Sequence, residues 1–236
     1  MDDHDLAATL AEEAGKLLLA IRSQGGAAGD RQSNVLLLER LHQARPDDAV
    51  LSEESPDDSD RLERSRVWIV DPLDGTREYG EPPRPDWAVH VALAVDGRPV
   101  AGAVALPAEG LVLHTGQPLE LTRPVPGPIR VAVSRSRPSP QVRRLMETLS
   151  ATPVPMGSAG AKAMAVVRGA ADVYAHSGGQ YEWVSCAPVA VAAAAGLHVS
   201  RLDGSPLRYN RPDPYLPDLL ICRPELADAV LRALGV

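Results

Sequence analysis

The hydrophobic pattern at the start of the chain predicts two helices followed by a strand. Apolar residues recur at helical spacing over 5–24 and again over 31–43, and the intervening GGAAGD (25–30) is typical of a loop. DAVLSEE (48–54) predicts a short strand that ends in two glutamates. The charged run over 56–66 predicts a solvated helix or loop.

Strand patterns dominate the next part of the chain. The run over 67–71 is apolar until Asp71 and predicts a buried strand. Residues 87–107 predict a hairpin, because β-branched residues flank the turn signal Asp96-Gly97. LVLHT (111–115) predicts a further strand, and the Pro- and Gly-containing stretch 116–128 predicts a linker between two halves.

Strands and helices alternate in the second half. The predicted strands are 129–134, 152–156, 171–176 and 217–222, and the predicted helices are 141–149, 161–167, 182–195 and 224–234. Such alternation indicates an α/β layer. We therefore expect an N-terminal α+β half over 1–125 and a C-terminal α/β half over 126–236.

Composition and charge exclude some classes of function. The 236 residues are enough to bury a core, and the net charge of -7 disfavours binding to nucleic acid polymers. The longest apolar stretches are too short to span a membrane, and MDDHDLAATL at the N-terminus lacks a secretory pattern, so we expect a cytoplasmic location. Cys186 and Cys222 have no metal-ligand spacing and are predicted to be buried thiols.

The candidate chemistry lies in VWIVDPLDGTREY (67–79). A buried strand would place Asp71 and Asp74 on a tight turn at its end, where carboxylates without a partner are costly. Oxygen ligands suit Mg²⁺, and Gly75-Thr76 offers backbone N–H groups and a hydroxyl to an anion. A cation beside an anion site indicates phosphate ester hydrolysis.

The same acidic residues have a purely structural interpretation. Asp71 is then a turn residue, Asp74 is a helix cap, and Glu53 and Glu54 are surface residues. The residue pattern alone leaves both interpretations open.

Several segments resemble motifs of the inositol monophosphatase superfamily, in the family's order. They are GDRQSN, LSEES, WIVDPLDGTREY, and GSAGAKAMAVVRGAADVYAH followed by EWVSCAP. The resemblance implies a layered α-β-α-β-α sandwich of the sugar phosphatase type, Mg²⁺-dependent hydrolysis of a small phosphate ester, and a homodimer. Arg77-Glu78 and DGSPLRYN (203–210) resemble the CysQ-type branch, which removes the 3′-phosphate of 3′-phosphoadenosine 5′-phosphate to give AMP in sulfate assimilation.

The resemblance also implies roles for individual residues. Two or three Mg²⁺ ions would be held by Glu53, Asp71, Asp74 and the Leu73 carbonyl, with Asp71 bridging two of them. Asp30, Glu53 and Thr76 would be catalytic, and Asp30 and Thr76 would orient the attacking water. The implied substrate contacts are Asp74, Gly75, Thr76, Gly157, Ser158, Lys162 and Glu182. A solvated position on its helix is an equally open interpretation of Lys162.

One position departs from the family pattern. Val184 stands where the Trp-Asp motif has an aspartate that completes the second metal site, and valine cannot coordinate a cation. We expect weaker binding of the second metal and a poorer stabilisation of the leaving oxygen. The chain is then a variant engineered to trap substrate, a natural homologue with slow or altered catalysis, or a nucleotide-binding protein without turnover. An inositol- or sugar-phosphate phosphatase is the alternative enzyme.

The histidines and aromatic residues near these motifs carry weaker signals. His90, His114, His176 and His198 lie in or near predicted strands and are expected to be structural. Tyr181 and Trp183 flank the last motif, where packing is the default expectation and contact with adenine is an open alternative.

Overall fold

The computed structural model describes residues 1–121, 126–136 and 138–236, which form two five-stranded sheets and seven α-helices. The helices are α1 (Asp3–Ile21), α2 (Gly26–Ala44), α3 (Thr76–Tyr79), α4 (Pro140–Thr148), α5 (Ala159–Val167), α6 (Glu182–Ala194) and α7 (Ala227–Leu234). The strands are β1 (Ala49–Ser52), β2 (Arg66–Asp74), β3 (Ala88–Val95), β4 (Arg98–Leu106), β5 (Leu111–His114), β6 (Arg130–Ser134), β7 (Thr152–Met156), β8 (Val173–Tyr181), β9 (His198–Ser200) and β10 (Tyr215–Cys222).

The first sheet has the order β1-β2-β3-β4-β5. β1 is parallel to β2, and the remaining neighbours are antiparallel. The predicted hairpin is confirmed as β3 and β4. Its turn residues Asp96 and Gly97 have φ of 49° and 72°, the left-handed conformation that two-residue hairpin turns require.

The second sheet has the order β7-β6-β8-β10-β9. β6 is parallel to both β7 and β8, whereas β10 is antiparallel to β8 and β9. β9 has three residues and was not predicted, because so short a strand shows no alternating pattern.

Three apolar clusters hold the layers together. α1 and α2 pack on one face of the first sheet, with Leu10 and Leu18 fully buried, and each such side chain stabilises the fold by about 1.5–3 kcal/mol. α5 and α6 lie between the two sheets, and α4 and α7 cover the outer face of the second. The predicted α-β-α-β-α sandwich is confirmed.

Small residues allow α6 to approach the first sheet closely. A Cβ added at Gly102 on β4 would lie 2.9 Å from the Ala190 Cβ on α6. The alanine-rich composition of this helix therefore serves the contact between layers.

One prediction along the first 66 residues was wrong. GGAAGD is not a loop, because α2 begins at Gly26 and includes Asp30. Gly29 packs against Leu18 and Tyr79, so tertiary packing outweighs its low helix propensity.

The charged run over 56–66 is confirmed as a largely exposed segment that contains a short 3₁₀ helix. Arg61 is the exception, because its side chain is only 1% exposed.

Residues 122–125 of the predicted linker lie outside the described part of the chain. The division at 125/126 stays a prediction. No helix in the described ranges is long and apolar enough to cross a membrane.

Candidate active site

The end of β2 carries the two aspartates of the central motif. Pairing between β2 and β3 shifts register between Asp71 and Asp74, and such a bulge re-aims side chains. Asp71 is 1% exposed, and its Oδ1 accepts a hydrogen bond of 3.1 Å from the Leu73 N–H. Asp74 Oδ2 accepts a 2.6 Å hydrogen bond from the N–H of Gly160. One backbone donor therefore holds each aspartate in place.

His90 lies directly opposite Asp71 on β3 and is fully buried. Its Nε2 is 3.3 Å from Asp74 Oδ2, and its Nδ1 is 3.9 Å from Asp71 Oδ2 and 3.2 Å from the Trp183 carbonyl. His90 is buried and within hydrogen-bond distance of a backbone carbonyl, as expected of a structural histidine, but its proximity to the two aspartates was not predicted. The signal was available in the hairpin, because a strand adjacent to β2 must place a side chain opposite Asp71.

The three carboxyl groups of the cluster influence one another. Burial raises the pKa of Asp71 well above its usual range, and the charges of Asp74 and Glu53 add to the rise. Glu53 is exposed, but partial desolvation raises its pKa, and the Asp74 and Glu54 charges act in the same direction. Burial alone would raise the pKa of Asp74, but His90, the Gly160 N–H and Lys162 lower it.

Helix α2 brings Asp30 to the same end of the first sheet. The Thr76 hydroxyl lies 3.4 Å from Asp30 Oδ2 and 3.3 Å from the Leu73 carbonyl. Burial, followed by the charges of Glu54 and Glu53, raises the pKa of Asp30 to about 7. A carboxyl group with this pKa gains or loses a proton near neutral pH.

Two glycines allow the segment before α5 to lie close to the turn after β2. Gly75 has φ of 88°, and a Cβ there would lie 2.8 Å from the Ser158 Cβ. A Cβ at Gly157 would overlap the Glu78 side chain, whose Oε1 accepts a 2.6 Å hydrogen bond from Arg135. The branch-specific Glu78 thus connects the β2 turn to the segment before α5.

Lys162 on α5 is buried rather than solvated, so the open interpretation of a solvated lysine is wrong. The side chain is 6% exposed, its Nζ donates a 2.5 Å hydrogen bond to the Gly157 carbonyl, and it lies 5.5 Å from the centre of the Tyr174 ring. Burial lowers its pKa, while the charge of Asp74 opposes that change.

Glu182 and Val184 at the start of α6 occupy different surroundings. Glu182 is fully buried, and its carboxylate accepts hydrogen bonds of 2.6 and 2.9 Å from the N–H groups of Asn210 and Arg211. These bonds hold the loop before β10, and the role of Glu182 as a substrate contact stays a prediction. Val184 is partly buried and packs against the apolar cluster between the sheets.

The donor set at the β2 turn fits a hard divalent cation. Glu53, Asp71 and Asp74 supply carboxylates, the Leu73 carbonyl is adjacent, and burial together with the charges of Asp74 and Glu53 raises the pKa of Asp71. Within the described residues, no three acidic, His or Cys side chains converge into a preformed coordination group. Binding a cation would therefore require the carboxylate side chains to rotate toward a common point.

Most predicted site residues lie within one connected set of contacts. These are Asp30, Glu53, Asp71, Leu73, Asp74, Gly75, Thr76, Gly157, Ser158 and Lys162. Their individual roles stay predictions, since the contacts give proximity and not function.

Comparison with known proteins gives the class of protein. A model described as "Inositol monophosphatase family" matches residues 26–234. The chain therefore belongs to the inositol monophosphatase family and is a phosphoric monoester hydrolase, which confirms the resemblance in the motifs.

Curated relatives support the CysQ-type branch within this family. The "3'-phosphoadenosine 5'-phosphate phosphatase" of Mycobacterium bovis is 55% identical, over 94% of this chain and 90% of the relative. The protein of the same name in Mycobacterium leprae is 51% identical, over 98% and 93% of the two chains. The "3'(2'),5'-bisphosphate nucleotidase CysQ" of Escherichia coli is 31% identical, over 80% and 81%.

Solved structures agree on the fold. An inositol monophosphatase from Anabaena superposes with a TM-score of 0.79 at 23% identity, covering 98% of this chain and 94% of that one. CysQ from Bacteroides thetaiotaomicron, titled a bacterial member of the inositol monophosphatase family, gives a TM-score of 0.79 at 25% identity, over 94% and 97%.

Proposed function

We propose that the protein hydrolyses the 3′-phosphate of 3′-phosphoadenosine 5′-phosphate in a Mg²⁺-dependent reaction that yields AMP and inorganic phosphate. The observation that carries the proposal is the set of contacts around Asp71, Asp74 and Thr76, in a chain 55% identical to relatives named for this substrate. A cytoplasmic location and a homodimer stay predictions.

The chain's own carboxylates define where Mg²⁺ would be held. Glu53, Asp71, Asp74 and the Leu73 carbonyl would bind two or three ions, which supply charge stabilisation to the attacking and leaving oxygens. Asp30 and Thr76 would orient a water molecule toward phosphorus, since the Thr76 hydroxyl lies between Asp30 and the Leu73 carbonyl.

The covalent change is a displacement at phosphorus. The water oxygen forms a new P–O bond, the bond between phosphorus and the ribose 3′-oxygen breaks, and the 3′-oxygen takes up a proton from solvent. Asp30 would accept the proton that the attacking water loses, since its carboxylate lies beside the Thr76 hydroxyl that would orient the same water.

The phosphate and the rest of the substrate would contact both halves of the molecule. Asp74, Gly75 and Thr76 would lie against the phosphate, and Gly157, Ser158 and Lys162 against the remainder. The close approach of Gly75 and Ser158 supports this division, because it brings the two segments together.

Val184 favours a second candidate, a nucleotide-binding homologue with weak turnover. Its side chain packs among apolar residues and offers no oxygen to a metal. We therefore propose that the second metal binds weakly and that turnover is reduced.

The test is phosphate release from 3′-phosphoadenosine 5′-phosphate across a Mg²⁺ titration, for the chain and for Val184→Asp. We expect the aspartate to raise turnover about 100-fold, close to 3 kcal/mol of transition-state stabilisation. Equal activity of the two proteins would mean that the second metal needs no ligand at 184. Tight binding without release by either protein would favour the nucleotide-binding homologue, and faster release from inositol 1-phosphate would favour an inositol phosphatase.

A further inference from the structure

Three aromatic side chains form an exposed cluster beside the candidate site. This aromatic platform consists of Tyr181, Trp183 and Tyr215. The Tyr181 and Trp183 rings are parallel within 6°, with centroids 4.7 Å apart, and the Tyr215 ring meets Tyr181 edge-on at 6.0 Å. Tyr181 is 47% exposed and Tyr215 is 42% exposed, so the packed rings retain much accessible surface.

The backbone fixes the platform in place. Tyr181 ends β8 and Tyr215 begins β10, and the two residues are paired in the register of these strands. Gly179 has φ of 90°, and a Cβ there would overlap the Tyr215 hydroxyl. The rings are therefore held by paired strands, which limits the entropy lost when a ligand binds.

The platform is joined to the carboxylates through one side chain. His90 contacts the Trp183 carbonyl at 3.2 Å with one ring nitrogen and approaches Asp74 at 3.3 Å with the other. One imidazole ring thus separates the backbone of the platform from the proposed phosphate site.

We infer that the platform binds the purine base of the substrate by stacking. This inference rests on the proposed function and names the group that recognises the nucleoside. A base has a π-face that can stack on Tyr181, whose ring is already stacked on Trp183, whereas an inositol ring has none. The platform would therefore select nucleoside phosphates from other phosphate esters.

The experiment compares Tyr181→Ala with the matched control Tyr181→Phe, which keeps the ring. Tyr181 is half-exposed, so neither substitution opens the core. Binding of adenosine 3′,5′-bisphosphate, which is the proposed substrate under its other name, is followed by calorimetry and by tryptophan fluorescence in Mg²⁺-free buffer, so that the ligand is not hydrolysed during the measurement. Of the three tryptophans, Trp68 and Trp87 are fully buried, so Trp183 should report a stacked base.

We expect Tyr181→Ala to weaken binding about tenfold, and Tyr181→Phe to change it less than twofold. Quenching should occur in the unmodified chain and disappear in Trp183→Phe. Hydrolysis of inositol 1-phosphate, which has no base, should be equal in all these proteins if it occurs.

The inference and the proposed function fail in different ways. Unchanged binding of the bisphosphate by Tyr181→Ala overturns the platform and leaves the proposed hydrolysis intact. Binding that weakens as expected, in a chain that releases no phosphate at any Mg²⁺ concentration, supports the platform and overturns the hydrolysis. A chain that binds no bisphosphate overturns both.

Discussion

Asp71 and Glu182 are both buried carboxylates at the junction of the two halves, but their surroundings differ. Asp71 has one backbone donor and faces Asp74 and Glu53, whose charges add to the effect of burial on its pKa. Glu182 has two backbone donors, which together with Arg61 oppose the rise that burial causes. Burial raises the pKa of both groups, but Glu182 is paired with backbone donors, whereas Asp71 faces other carboxylates. We therefore propose that Asp71 belongs to the metal site and that Glu182 stabilises the fold.

The substitution Asp71→Asn tests this comparison most directly, and we expect it to have the largest effect. We expect activity to fall at least about 1000-fold, roughly 4 kcal/mol of transition-state stabilisation, because a shared metal ligand is lost. The free energy of unfolding without metal should not fall, because the change removes repulsion from Asp74 and Glu53. Steady-state kinetics and denaturant unfolding measure the two effects.

The exposed substitution Asp228→Asn is the control for this experiment. Addition of Mg²⁺ should raise the melting temperature of the unmodified chain and of Asp228→Asn, but much less that of Asp71→Asn. Equal stabilisation of all three by Mg²⁺ would show that Asp71 does not hold the ion.

Glu182→Gln should lower the free energy of unfolding more than the activity, which is the reverse of the result expected for Asp71→Asn. One of the two backbone donors at Asn210 and Arg211 loses its acceptor, so we expect a loss of about 1–3 kcal/mol in the free energy of unfolding. Activity measured well below the melting temperature should fall far less than in Asp71→Asn. Glu39→Gln, on the exposed face of α2, is the control. Lost activity with unchanged stability would instead support Glu182 as a substrate contact.

The substitution of Asp30 should have a smaller effect, which appears in the pH dependence of the free energy of unfolding. Its folded pKa of about 7 lies above its ordinary value, so the folded state binds the proton more tightly. The resulting stability is fully present below about pH 4 and is lost as the pH rises through 7. In metal-free buffer, the unmodified chain should therefore lose about 1–2 kcal/mol relative to Asp30→Asn between pH 4 and 8.

Thermal unfolding across this pH range measures the difference. Asp47→Asn, at an exposed position, should follow the unmodified chain. Parallel pH profiles for the unmodified chain and Asp30→Asn would contradict the raised pKa.

The sequence predicted those parts of the fold that depend on residues close together in the chain. The turn Asp96-Gly97 requires left-handed backbone and therefore located the β3–β4 hairpin. The sequence around Asp71 and Asp74 likewise located β2 and, through the family resemblance, most of the connected site. β2 nevertheless continues to Asp74, beyond the predicted end at Asp71, because the chain stays paired with β3 across a bulge.

Features that depend on packing between distant segments could not be predicted in this way. Gly26 and Gly29 look like loop residues until Thr76 and Tyr79 are placed against them. Arg61 appears to belong to a solvated charged run, but Asn210, 149 positions away, accepts a hydrogen bond from its guanidinium. The proximity of His90 to Asp74 required the register of β2 and β3, which composition does not give.

The placement of α6 has a consequence for how the molecule unfolds. This helix belongs to the second half in sequence, yet it packs on the strands that carry Asp71 and His90. Removing it would expose the apolar face of the first sheet and release the Trp183 carbonyl from His90. The two sheets and their helices should therefore melt in a single cooperative transition, and Asp71 and Asp74 should lose their arrangement only when the whole molecule unfolds.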